Sequence, residues 1–486
     1  VTMAFFVGLY LAVSVGVGIY AARRVQTSGD FILAGRSLPL YIVTATVFVT
    51  FFGSEAVLGI PATFMEENLG GIVADPIGAG LCLVFVGLFF AVRIYRMKLN
   101  TIGDFYRARF GPAVELMVSI AICISYLGWI SAQIVALGLV INIVTMDMVS
   151  FELGMVLGLI SVMAYTVFGG MVSVAIVAFI QMIAIIIGLL IVADMVAGQV
   201  EGGYAAVIAH AAENGKFEFW PAWDTAAILA FFGAFITLAL GSIPQQDVFQ
   251  RVMSAKDETV AARGSVYGGL LYIAFCFIPI FIAYGVLLVD PAIVNAHMAE
   301  GGDSQRILPD YILGYVPLTV QVLFFGALLS AIMSTAAGTL IAPSAIFAEN
   351  ILRPRFAMDD RRFLLVLRLS VVAFGLVVLV YGWLSASAGL SIFEMVENAY
   401  LVTLCGAFTP LAFGVYWKRA TNAGALASII CGVGTWVVLE AVNWQLAASG
   451  GELLVPPQVA GLAAAIIGMV LGSLYLGSGA TRPARA

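Results

Sequence analysis

An all-α polytopic membrane protein is the fold class predicted, on three observations. Hydrophobic residues make up 62% of the 486 positions and charged residues only 10%, a balance foreign to soluble globular domains. Apolar runs of about 20 residues, enough to cross a bilayer as helix, recur along the chain. The lysines and arginines gather in alternate loops, as orientation in a membrane requires.

About thirteen transmembrane helices are expected, near residues 2–22, 38–65, 71–92, 113–143, 151–168, 174–196, 225–248, 265–289, 316–349, 362–384, 392–416, 423–441 and 458–477. Spans 38–65 and 316–349 exceed one crossing and are expected to tilt, bend or carry interfacial pieces. Residues 2–22 read as a retained span, because no small-residue cleavage pattern and soluble domain follow. With the N-terminus outside and the C-terminus inside, every lysine and arginine except Lys216 and Arg306 lies in an inner loop, Arg24, Arg251, Arg482 and Arg485 included. Trp220 and Trp223, in the outer loop 197–224, are expected at the membrane interface. The stretch from Thr101 to Phe110 reads as a short amphipathic helix on the inner surface. No P-loop pattern or soluble output domain is apparent, which argues against an ATP-driven pump. The 5 cysteines all fall in apolar spans without metal-ligand spacing, and both histidines lie in polar loops.

The spans group as a leading helix and loop (1–36), a core (37–416) and two trailing helices with a short tail (417–486). Within the core, 37–196 and 225–416 each hold about five spans. An odd-numbered unit repeated beside itself must be inverted in the membrane. Each unit opens on a helix with breakers: Gly53 and Gly59-Ile60-Pro61 in the first, Gly241-Ser242-Ile243-Pro244 in the second. Interrupted helices at corresponding places in two halves point to a transporter's binding site. Gly53, Gly59, Pro61, Gly241 and Pro244 are the expected hinge residues.

Four groups of polar residues stand at those breaks or face them. Glu55 is a carboxylate at membrane depth, costly to hold, and is either satisfied by nearby backbone and hydroxyls or turned to a solute. Asp75, before Pro76, either caps a helix or lines the site. Gln245, Gln246 and Asp247 follow the second break; Gln245 is the solute-facing choice, and Asp247 is expected to pair with Arg251 one turn on. Ser334 and Thr335 supply hard oxygens, suited either to helix contacts or to a sodium ion shared with carbonyls freed at the first break. Tyr126, Trp129 and Gln133 share a helix face, as packing or as an aromatic wall for a cation.

At these residues the chain resembles the sodium/solute symporter family, which carries proline, sugars, choline and carboxylates. The resemblance rests on Gly29-Asp30-Phe31-Ile32-Leu33-Ala34-Gly35-Arg36-Ser37-Leu38, Phe249-Gln250-Arg251, Ala331-Ile332-Met333-Ser334-Thr335 and the stretch from Gly414 to Ala425. It implies a LeuT-like 5+5 inverted-repeat core with one leading and two trailing helices. It implies a sodium site of the Val49, Phe52 and Ala331 carbonyls with the Ser334 and Thr335 hydroxyls, and a solute site at Phe51, Glu55, Asp75, Trp129 and Gln245. Pro76-Ile77-Gly78, Gly241-Ser242-Ile243-Pro244 and Val248-Phe249-Gln250-Arg251 are most similar to the high-affinity choline carriers. Departures are Ala79 and Gln245 where that branch has aromatic residues, which leaves a two-walled cage of Phe51 and Trp129. Gly53 replaces a small hydroxyl residue, and Val177-Ala178 stand where the family carries Thr-Asp on the ion's inward exit route.

The function implied is sodium-coupled symport by alternating access, importing a small polar organic solute: an amino acid, betaine, choline-like cation or related zwitterion. The expected partners are that solute, sodium and the bilayer of a bacterial inner membrane, with no nucleic acid. No nucleophile–base pair suggests an enzyme. The alternatives are a transporter-like sensor acting with a separate signalling partner, a proton-coupled or uncoupled carrier, or a channel.

Overall fold

The computed structural model describes residues 2–23, 25–299, 302–447 and 455–476; Arg24, Arg482 and Arg485 lie outside the described residues. The chain opens with α1 (Thr2–Ala22) and a short capped helix, α2 (Ser28–Leu33). Next, α3 (Leu40–Phe51) and α4 (Glu55–Glu66) form one path bent by 59°. α5 (Val73–Arg96), α6 (Ile102–Phe110), α7 (Pro112–Val144), α8 (Phe151–Gln199) and α9 (Gly203–Glu213) follow. A second bent pair, α10 (Thr225–Gly241) and α11 (Gln246–Met253), turns by 45°. The rest comprises α12 (Glu258–Val289), α13 (Pro291–Met298), α14 (Ile307–Tyr315), α15 (Leu318–Leu352), α16 (Asp360–Ser387), α17 (Ile392–Tyr416), α18 (Asn422–Ala447) and α19 (Pro457–Tyr475).

Among the described residues, nine helices are long and apolar enough to cross a membrane, or up to eleven if each bent pair is one span. The expected thirteen add α1 as a span and divide α8 in two. The division has a physical basis. α8 counts 49 residues, and an unbroken helix of that length would run about 74 Å, more than twice a bilayer's hydrocarbon core. Helical geometry fails at Gly170, with φ 48° and ψ −149°. Glycine adopts positive φ without strain, and a Cβ here would meet the Phe31 carbonyl oxygen at 2.5 Å.

α15 is the central post. No side chain from Phe324 to Ile346 is even half exposed, and all are buried. A helix apolar all round belongs in the middle of a bundle, and α7, α8 and α16 pack around it. At its end, Asn350 donates to Asp104 Oδ1 and Glu115 Oε1, each at 2.9 Å, and accepts from the Thr101 hydroxyl at 2.7 Å.

The two ends of the bundle differ in charge. At the end bearing the basic loops, the expected amphipathic helix is present as α6, started by a Thr101–Asp104 capping box. Arg109 does not lie free in a loop: Nε donates to the Gly414 carbonyl at 3.1 Å and Nη2 to that of Trp417 at 3.2 Å. The Asn422 amide bonds the Phe110 carbonyl. The stretch from Gly414 to Ala425 is thus the seat on which α6 docks. At the opposite end, Lys216 Nζ donates to the Met65 and Glu67 carbonyls at 2.7 and 2.6 Å, satisfying carbonyls that a helix end leaves open. Trp220 and Trp223 stand out there, 67% and 91% exposed.

Candidate functional site

The first break sits at Phe52–Ser54. Phe52 takes φ −78° and ψ 71°, and Gly53 N–H reaches back to the Phe51 carbonyl at 2.8 Å. The ladder then resumes with a wide π-helical turn from Glu55 to Gly59, after which Pro61 lies in the first turn of the following α-helix. Gly59 and Pro61, expected as hinges, therefore lie beyond the break: Pro61 lacks an N–H, and the wide turn accommodates it. Gly53 is at the break itself. The second break is centred on the expected residues: Gly241 ends α10, and Gln245 stands immediately before α11, after Pro244. The Thr403 hydroxyl donates to the Gly241 carbonyl at 2.7 Å, covering a group that the break releases.

The expected sodium ligands come from two elements that meet here. Thr335 Oγ1 on α15 donates to the Val49 carbonyl on α3 at 3.0 Å. Ser334 Oγ, one residue earlier, is buried with no hydrogen-bond partner. Ala331 lies one turn before it on α15, fully buried, and Phe52 holds a non-helical carbonyl at the break. An unsatisfied hydroxyl beside carbonyls released from a helix is a neutral oxygen set suited to a hard monovalent cation.

Glu55 is fully buried. Its Oε2 accepts from Gln133 Nε2 at 2.7 Å and from the Ser54 hydroxyl at 3.3 Å. Gln133 Oε1 in turn accepts from Ser54 N–H at 3.0 Å, so one amide holds both the broken backbone and the carboxylate. The Trp129 indole N–H lies beside the Glu55 carboxylate, and neither it nor Glu55 Oε1 has another hydrogen-bond partner. Gly53 is required by this crowding: a Cβ there would stand 2.7 Å from Gln133 Oε1, 2.9 Å from Thr335 Oγ1 and 3.0 Å from Glu55 Oε2. Gly53→Ala is expected to weaken sodium and solute binding together, on the order of 10–100-fold. Calorimetric titration of each ligand checks this, and wild-type isotherms would mean the three groups yield without cost.

Around the break lies a cluster of rings. Phe51 stacks on Trp129 with centroids 5.3 Å apart, and Trp129 stacks on Tyr126 at 6.0 Å. Two further rings close in: Tyr400 at 5.2 Å from Trp129, and Tyr272 at 6.0 Å from Phe51. Phe51 and Trp129, expected as two walls, thus belong to a cluster of five rings. Tyr272 and Tyr400 escape sequence reading because nothing local sets them apart from the other tyrosines of the same apolar helices, Tyr267 and Tyr284 in α12 and Tyr416 in α17, and both are distant in sequence from the first break. The stripe Tyr126, Trp129, Gln133 on α7 was the legible part.

Asp75 does not cap a helix. It takes extended backbone (φ −139°, ψ 122°) within the start of α5, is buried, and accepts from the Tyr272 hydroxyl at 2.5 Å. Neither Glu55 nor Asp75 has an ion-pair partner among the described residues. Gln245 sits apart from both carboxylates, its Nε2 donating to Ser125 Oγ at 3.0 Å and Thr403 Oγ1 at 3.3 Å. The expected Asp247–Arg251 pair is not formed. The Tyr126 hydroxyl instead donates to Asp247 Oδ1 at 2.5 Å, while Arg251, expected in an inner loop, is fully buried and donates from Nη1 to the Thr46 carbonyl at 2.5 Å. α11 carries it inward as the second half of a broken span, which the loop assignment missed.

A model of the sodium:solute symporter family matches residues 31–432. The human high affinity choline transporter 1 is 26% identical over 452 residues, 86% of this chain and 73% of that protein. The sodium/pantothenate symporter of Escherichia coli strain K12 is 24% identical over 481 residues, 96% of this chain and 95% of that one. Among solved structures, a sodium-coupled sialic acid symporter in a substrate-bound outward-open state superposes with a TM-score of 0.83 at 19% identity, covering 97% of this chain and 98% of its own. The fold shared with such symporters is the LeuT-like one, with its two broken helices.

Proposed function

The chain belongs to the sodium:solute symporter family, and from that premise we propose that it is a sodium-coupled carrier of a small solute bearing a positively charged nitrogen. The observation that carries the solute class is Glu55: a fully buried carboxylate at the break, with only neutral groups around it and no basic side chain paired to it among the described residues. A buried charge is retained where a partner compensates it. An ammonium among Phe51, Trp129, Tyr272 and Tyr400 supplies that charge and gains cation–π attraction from the rings. Asp75, held by Tyr272, adds a second carboxylate. Gln245 is assigned a supporting role through Ser125 and Thr403.

Val49, Phe52, Ala331, Ser334 and Thr335 would hold sodium, joining α15 to the broken span. Phe51 and Glu55 belong to that same span, so each ligand orders backbone that the other uses. Linkage then requires each to raise the other's affinity by the same factor. The bends at the two breaks are where the halves would rock in alternating access.

The charge of the opposite mouth supports a cation. A cavity of about 710 Å³ at that end is lined by Glu66, Glu67, Glu218, Glu394 and Glu397 with no lysine or arginine. A cleft of one sign concentrates solutes of the other. The basic loops at the other end support a cytoplasmic face there, with the N-terminus outside, in a bacterial inner membrane.

The test is uptake into liposomes containing the purified protein, across quaternary ammonium compounds, betaines, amino acids, carboxylates and sugars. Accumulation of an ammonium-bearing solute driven by an inward sodium gradient is expected. Uptake driven only by a proton gradient would replace sodium with protons, binding without accumulation would favour a sensor, and selectivity for a bare anion would overturn the solute class.

A further inference from the structure

The buried arginine of α11 has no place in the sodium and solute sites above, yet it adjoins the first of them. Arg251 is fully buried. Nη1 donates to the Thr46 carbonyl on α3, three residues before Val49. On its other side the guanidinium lies against Gly338 of α15, three residues after Thr335. A Cβ at Gly338 would fall 1.8 Å from Nη2, so only glycine leaves this space. The neighbouring Gln250 donates to the Gly338 carbonyl at 3.1 Å. Three residues along a helix is about 4.5 Å, so the guanidinium sits one turn from the sodium ligands on both helices that carry them.

On each helix that turn leads toward the basic end of the bundle. α3 starts there, where Leu38 N–H donates to the Ser254 carbonyl and Lys256 N–H to the Leu38 carbonyl, both at 3.0 Å. α11 ends at the same place. The route from the sodium ligands toward the basic end, between α3 and α15, is therefore occupied by a fixed positive charge. Among the described residues no carboxylate lies within ion-pair distance of it: Asp247, one turn earlier on α11, accepts from Tyr126 through Oδ1, and its Oδ2 has no partner. Inside a protein, like charges a few ångströms apart repel far more strongly than in water.

We propose that Arg251 is a positioning residue of the transport cycle, a cationic bolt that keeps sodium from leaving toward the basic end until α11 parts from α3 and α15. This rests on the sodium site proposed above. The bolt is built to withdraw. A single carbonyl bond holds the guanidinium, and Nε and Nη2 have no partners. The movement that withdraws it is the separation of α11 from α3 that opens this end. Sodium exit is thereby tied to the solute-dependent conformational change, which is what coupling requires. The departure at Val177-Ala178 fits this arrangement: an exit route without its aspartate relies on removal of a positive charge more than on attraction by a negative one.

Solute-free flux of radiolabelled sodium through proteoliposomes tests the bolt, read beside the half-saturating external sodium for solute binding. Arg251→Gln is expected to raise the solute-free flux roughly tenfold or more and, with the repulsion removed, to bind external sodium at least as tightly as wild type; weakened external sodium binding would mean that the variant has damaged the site. Arg251→Lys keeps the charge and is expected to keep the flux low; a lysine variant that leaks like the glutamine one would make Arg251 a structural strut and overturn the proposal. Gly338→Ala pushes the guanidinium out with its charge intact and is expected to leak as Arg251→Gln does. Wild-type flux in folded Arg251→Gln, or in Gly338→Ala should the former not fold, also overturns it. The sodium site is judged separately, by Ser334→Ala with Thr335→Ala: unchanged sodium dependence there refutes the site, whatever the leak assays show.

Discussion

Replacing Ser334 and Thr335 together by alanine is expected to raise the half-saturating sodium concentration for uptake by roughly 100-fold or more. Groups that merely orient a metal's ligands are commonly worth 10–100-fold in affinity, and this pair would be ligands themselves. Ser334 Oγ is buried and unpartnered, so its loss costs the fold little. Thr335 Oγ1 also bonds the Val49 carbonyl, about 0.5–1.5 kcal/mol of net stability, so a modest fall in melting temperature is expected alongside. The measurement is sodium-dependent solute binding over a range of sodium concentrations. By reciprocity, solute affinity at low sodium must fall in the double variant. Normal half-saturation by sodium would sink the assignment of these hydroxyls.

Glu55→Gln is the second large effect, and it carries two opposite signs. Glutamine preserves the volume and can still accept from Gln133, but the charge facing an ammonium is gone. Removing one partner of a buried, desolvated charge pair costs about 2–5 kcal/mol, which is roughly 30-fold or more in solute affinity. The ligand-free protein is expected to gain stability at the same time, because its unpaired buried carboxylate has become neutral. Calorimetric binding and a thermal melt of the same preparation check both. An unaltered isotherm would return Glu55 to a structural role, and a destabilised apo protein would mean its charge is already compensated.

The legibility of these sites follows the range of the forces involved. A break between Gly53 and Pro61 and another at Gly241–Pro244 could be read because breakers act through their own backbone and the adjacent turn. Gly170 lies between two expected spans for the same reason. Glu55, Ser334 and Thr335 were legible as polar groups in apolar surroundings, which membrane burial makes conspicuous. The exact position of the first break was not: Gly59 and Pro61 carry the stronger local signal, yet the chain leaves the helix at Phe52–Ser54, where Gln133 of α7 takes the freed N–H.

By itself, then, the sequence determined a polytopic helical bundle with two interrupted helices, its basic end, and the polar residues placed in its apolar spans. Those properties follow from local composition and period, through the cost of placing charge and open backbone in lipid. Only the tertiary structure decided which groups meet. It brought Tyr272 of α12 and Tyr400 of α17 to Phe51 and Trp129, gave Asp75 to Tyr272, turned Asp247 to Tyr126 instead of Arg251, and set Arg251 between Thr46 and Gly338. Each of these contacts joins helices far apart in the chain. A tyrosine or arginine has the same local preferences wherever its partner lies, so the partner is chosen by how the helices pack.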